Sequence, residues 1–172
     1  MNLEEILIDW NEFKIRLESF TTILPYKKII DTEHLVRYAF IFDKEPYVVD
    51  FDYRYASKEK FAVLTFYAVG EDNTREYGQT NKNKYAGPCF GTVLDIVKQE
   101  QSKWNGVCFT GAESKVGIYN QLFKKNALGM FKYNYVLPDN SILYIVSKIE
   151  IPIDDLKIVK EIAIEIMNSK LN

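Results

Sequence analysis

The feature that most constrains this chain is a two-residue alternation carried by aromatic and β-branched side chains. Val36, Tyr38, Phe40 and Phe42 alternate with Arg37, Ala39 and Ile41. After Asp43-Lys44-Glu45-Pro46, a turn cluster, Tyr47, Val49, Phe51 and Tyr53 alternate with Val48, Asp50 and Asp52. A period of two sends successive side chains to opposite faces of a strand, so each run presents one apolar face. The chain is therefore committed to a sheet. Its 12 Tyr, 11 Phe and 2 Trp among 172 residues suit cross-strand pairing, and they also suit an aromatic protein-binding face. Phe61 to Val69 is apolar on both faces and takes a central place. Gly70 to Asn73 is a turn, and Thr74 to Thr80 is a weaker fourth strand with Arg75, Tyr77 and Gln79 on one face.

Helical spacing brackets these strands. Leu3, Ile6, Leu7, Trp10, Phe13 and Leu17 predict an N-terminal helix over about residues 2–18. Phe90, Val93, Leu94, Val97 and Trp104 predict a second helix, which Gly106 stops. A short apolar strand, Val107 to Thr110, runs into a Thr110–Glu113 capping box. The helix beyond it carries Val116, Tyr119, Leu122 and Phe123 on one face, and Lys124 and Lys125 in its last turn. Phe131, Tyr133, Tyr135 and Leu137, a turn at Pro138-Asp139-Asn140, then Leu143, Ile145 and Ile149 form the clearest hairpin. A C-terminal helix over about 154–169 carries Leu156, Val159, Ile162, Ala163 and Ile166. The expected fold is α+β, one domain with a mixed, mostly antiparallel sheet and helices on its faces, its core over about 36–150.

Composition excludes several classes of chemistry. One histidine, His34, leaves no two-histidine metal site, and Cys89 and Cys108 have no zinc spacing. Walker A, GxGxxG, GxSxG and EF-hand patterns are absent from the sequence. A net charge of -2 argues against a nucleic-acid-coating protein. No apolar run approaches the roughly 20 residues that span a bilayer. The acidic N-terminus reads unlike a signal peptide, and two cysteines suit a reducing compartment, so the expectation is a cytoplasmic protein.

From Phe61 to Ile149 the order β-β-α-β-α-β-β resembles the core of the GNAT superfamily of N-acetyltransferases. Ile118-Tyr119, Gln121-Leu122-Phe123 and Gly129-Met130-Phe131 resemble that family's helix-end pattern LY-x-x-x-GF, with extra residues before the glycine. Gly91-Thr92-Val93-Leu94 lies where its acyl-CoA-binding helix begins. The chain is similar, closer still, to small phage-encoded proteins with a GNAT-like core, which would place it in a host cytoplasm. The resemblance implies direct attack of an amine on acetyl-CoA, with Tyr119 protonating the departing thiolate. Glu76 or Glu113 would accept the amine proton. Tyr77, Gly78 and Thr80 would hold the pantetheine arm, and Gly87, Gly91 and Thr92 would cradle the pyrophosphate.

The chain departs from the family where phosphate binding is decided. Where the family carries the signature Q/R-x-x-G-x-G/A, this chain has Lys84-Tyr85-Ala86-Gly87-Pro88-Cys89, with a cation and one glycine in place and the pattern broken by Pro88 and Cys89. A diphosphate needs free backbone N–H groups at a helix start, and Pro88 removes one. Asp43 to Pro46 joins the first two strands directly, where the family usually inserts helices that shape the acceptor site. Two functions follow: a non-catalytic, degenerate GNAT-like scaffold that binds a protein partner, or an acyl-CoA-dependent N-acyltransferase. Other residues read more plainly. Asp50 and Asp52 share a strand face and are read as a solvated pair, the alternative being acid/base work. Cys89 at a helix start could be an activated thiol with His34 as base, although a buried cysteine is commoner.

Overall fold

The alternating runs form strands, and turn chemistry sets where they end. A computed structural model describes residues 22–69, 75–77, 87–112 and 131–171. The expected helices over 2–18 and beyond Glu113 lie outside the described residues. β2 (Leu35–Phe42) and β3 (Glu45–Ala56) are joined through Asp43 and Lys44, at φ 52° and 65°. Two consecutive left-handed residues give the tight turn whose twist matches a hairpin. Ser57, at φ 56°, begins the equally short link from β3 to β4 (Glu59–Val69).

β1 (Tyr26–Asp31) precedes these strands and escapes the sequence pattern. Only Tyr26 and Ile30 in it are partly buried, so it lacks an apolar alternation. The expected strand over 74–80 contains β5 (Arg75–Tyr77), antiparallel to Tyr67–Val69. β6 (Gly106–Ala112), β7 (Phe131–Val136) and β8 (Ser141–Ser147) complete the strands. Their order is β1-β2-β3-β4-β6-β8-β7, with β5 pairing β4. β4 and β6 are parallel from Phe61↔Gly106 to Val63↔Cys108, while β6–β8 and β7–β8 are antiparallel. The architecture is α+β with a mixed, mostly antiparallel sheet and two described α-helices, α1 (Gly87–Glu100) and α2 (Ile153–Leu171).

Gly106 does not stop α1. That helix gives way to a 3-10 turn (Gln101–Lys103) and an extended Trp104 before β6 begins at Gly106. The glycine answers a close approach instead. A Cβ there would lie 2.7 Å from two ring carbons of buried Phe61 and 3.2 Å from the Val146 carbonyl oxygen.

The chain divides into two compact units. One takes in residues up to Ile29, Arg37–Val49 and Phe66–Gln99. Its aromatic rings stack on one another: Tyr47 lies 5.6 Å from Phe40 and 5.5 Å from Phe66. The other takes in Ile30–Val36, Asp50–Thr65 and the chain from Glu100. Its core joins one face of the strands (Ala56, Phe61, Val63, Cys108, Leu143, Ile145) to the α2 stripe Leu156, Val159, Ala163 and Ile166. That stripe is the one the spacing predicts.

Many of the described aromatic residues lie in these interiors. Tyr38, Tyr47, Tyr53 and Tyr67 are all buried, so they do not form the aromatic docking face that composition allowed. Among the described residues no helix is long and apolar enough to cross a membrane.

Candidate functional site

Tyr119, Glu113, Gly78 and Thr80 lie outside the described residues. Glu76 and Tyr77 lie on β5, opposite Ala68 and Tyr67 in register. Gly87 opens α1, and Gly91 and Thr92 are buried in its opening turns. The Thr92 hydroxyl donates to the Pro88 carbonyl at 2.7 Å and accepts from the Leu24 N–H at 2.9 Å. Its single donor and one of its two acceptor lone pairs are thus engaged by the chain itself.

Cys89, in the same turn, is fully buried. Desolvation, with a smaller push from the Glu45 charge, raises its thiol to about 12. Position at a helix start therefore does not activate it: burial outweighs the dipole. Tyr47 is likewise pushed up to about 12, first by desolvation and then by the charges of Cys89 and Glu45. His34 is exposed in the turn before β2. Cys108 is a core residue, and both cysteines are free thiols.

The ionisable cluster that the second unit assembles lies elsewhere. Asp50 and Asp52 are not a solvated pair: Asp50 is fully buried and Asp52 is 8% exposed. β3 is buried on both faces from Tyr47 to Tyr53, so its alternation does not end in water on either side. Lys170, in the last turn of α2, reaches both carboxylates. Its Nζ donates to Asp50 Oδ2 at 2.8 Å. It also forms an ion pair with Asp52 Oδ2 at 2.8 Å.

Local sequence explains why Lys170 arrives there. It stands four residues after Ile166, so it continues the apolar stripe of α2 by one helical turn. A lysine at the closing turn also complements the helix dipole. The spacing that identifies the stripe could have flagged Lys170, had a charge been allowed at a core position.

A second charged group on the same unit is Glu100, also fully buried. Tyr53 donates to its Oε2 at 2.5 Å, and Lys103 reaches its Oε1 at 3.2 Å. Lys103 also lies 3.9 Å from Asp31. Glu100 falls between Val97 and Trp104 on the apolar stripe of its segment, which is the signal that sequence reading passed over. Lys148 closes the end of this segment. Its ammonium donates to the Gln101 and Trp104 carbonyls and sits 4.9 Å from the Trp104 ring centroid, and burial lowers its pKa.

These groups can bind and neutralise charge. Among the described residues, no three His, Cys, Asp or Glu are grouped so as to hold a metal ion. The candidate pocket beside Tyr55, Val159 and Ile162 has room for about one water molecule and nothing larger. No protein-family model matches the chain, and no curated protein matches it.

Proposed function

We propose that the chain is a non-catalytic, GNAT-like scaffold that binds a protein partner. The observation that carries this reading is the occupancy of the α1 start. A pyrophosphate cradle needs outward-facing amides and small, uncommitted side chains. Here Thr92 is bonded on both sides within the chain, Cys89 is buried beside it, and Pro88 contributes no N–H. The GNAT-like part of the reading draws on strand order. A parallel β4–β6 register flanks the segment containing α1, and the antiparallel β6–β8–β7 arrangement follows.

Protein binding draws on β7, which ends the strand order and pairs β8. Its Val136 is 74% exposed, and among the described residues β7 pairs with β8 alone, which leaves an edge open to strand addition.

Thermal unfolding with acetyl-CoA at about 1 mM tests the proposal, since any ligand of the native state must raise its melting temperature. No shift is expected. A rise of several degrees overturns the non-catalytic reading. It would favour the acyltransferase, with Tyr119 as acid and Glu76 or Glu113 as base.

A further inference from the structure

We propose that β1 is a dimerisation edge, which pairs antiparallel with β1 of a second copy in a register centred on Ile29. It lies at the other end of the strand order from β7 and does not depend on the function proposed above. Among the described residues β1 pairs with β2 alone, and an edge strand offers unpaired backbone groups to another strand. Alternation puts Lys27, Ile29 and Asp31 on one face of β1, and all three are exposed. Ile29 is 53% exposed. Lys28 belongs to the other face, where its ammonium lies 5.6 Å from the Tyr38 ring centroid.

Charge complementarity identifies the occupant. A two-fold axis at Ile29 sets Lys27 opposite the partner's Asp31, Asp31 opposite the partner's Lys27, and Ile29 opposite its own copy. Opposite charges and apolar side chains directly across a strand pair are both favourable. Other registers lose this match. An axis at Lys28 sets that lysine against its own copy. An axis between Lys28 and Ile29 sets Lys27 against the partner's Ile30 and matches neither charge. A parallel, in-register pair lines each lysine up with its counterpart, and like charges there are unfavourable. Asp31 also lies 3.9 Å from Lys103 of its own chain, and its side chain is 59% exposed, which leaves room for a second ammonium. Six-residue strands make a small interface, so the dimer is expected to be weak and concentration-dependent.

Sedimentation equilibrium of the full chain, up to about 0.5 mM, should show a reversible dimer. Lys27→Asp and Asp31→Lys each set like charges opposite one another at both ends of the pair. Each should weaken the dimer about tenfold. Mixing the two variants in equal amounts should restore association, because every reversed charge then faces its opposite. Ile29→Cys should form an interchain disulfide on mild oxidation, whereas Lys27→Cys should not, since residue 27 lies across from residue 31 rather than from itself. Cys89 and Cys108 are buried and do not compete.

A chain that stays monomeric over that range overturns the proposal. So does charge reversal without weakening, and so do two variants that associate no better mixed than apart. If a charge variant does not fold, the cysteine variants decide: no crosslink at residue 29, or equal crosslinking at 27 and 29, rules out the register.

Discussion

The opening turns of α1 and the closing turn of α2 both bury polar groups, but they do so by different physics. At the start of α1 the groups are neutral. The Thr92 hydroxyl sits between the Pro88 carbonyl and the Leu24 N–H, and the Cys89 thiol stays protonated because burial raises it to about 12. At the end of α2 the groups are charged, and Lys170 lies between Asp50 and Asp52. A neutral hydrogen bond contributes about 1 kcal/mol, and leaving its buried partner unsatisfied costs about 1–3 kcal/mol. A buried ion pair contributes little net stability, yet removing one member strands an uncompensated charge. The two helix ends therefore should differ far more in their response to mutation than in their apparent tightness.

Lys170→Met gives the largest expected effect. It leaves both aspartates buried without this ammonium and should cost about 3–5 kcal/mol, measured by urea denaturation. A cost below about 1 kcal/mol would break the contrast between the two ends. Tyr53→Phe is the intermediate case. It removes one donor from the buried Glu100 carboxylate and keeps Lys103, so about 1–3 kcal/mol is expected from the same denaturation curves.

Thr92→Val preserves shape while leaving the Leu24 N–H without its acceptor, for about 1 kcal/mol. A cost as large as that of Lys170→Met would show that the α1 start is more than a neutral cap.

The smallest effect below pH 9 comes from the thiols. Cys89 and Cys108 are raised from 9.0 to about 12, and Tyr26 and Tyr47 from 10.0 to about 12. Each group holds its proton more tightly when folded. Their contribution is complete below the unfolded pKa values and is lost as pH rises from about 9 to 12. A pH series of melting temperatures should show a decline across that window. At pH 8, a thiol-reactive disulfide reagent should label Cys89 no faster than the chain unfolds. Rapid labelling of the folded chain would restore the activated-thiol reading.

Much of the fold can be read from the sequence, because apolar periodicity and turn residues are local signals. The runs at Val36–Phe42 and Tyr47–Tyr53 and the α2 stripe each occupy the element their spacing implies, and so does the hairpin from Phe131 to Ser147, with Leu137 and Ile149 falling beyond its strands. The reading failed where a residue's role depends on something distant. β1 is a strand because β2 pairs with it, not because Tyr26–Asp31 alternates. Gly106 serves neither a helix stop nor a turn: a Phe61 ring, from a different strand, leaves no space for a Cβ.

The candidate site divides in the same way. The sequence noted Asp50 and Asp52 as a pair on one strand face, but a polar residue alternating with apolar ones looks solvated from within its own strand. Lys170, which meets them, is 120 residues away along the chain from Asp50. The sequence by itself determined the strands, the helical stripes and the side-chain faces, since those follow from backbone periods acting over a few residues. Tertiary structure alone decided which faces are dry, since burial depends on what packs against a strand. A charge in a dry place must meet a partner, and the chain's long-range path determines which one it meets.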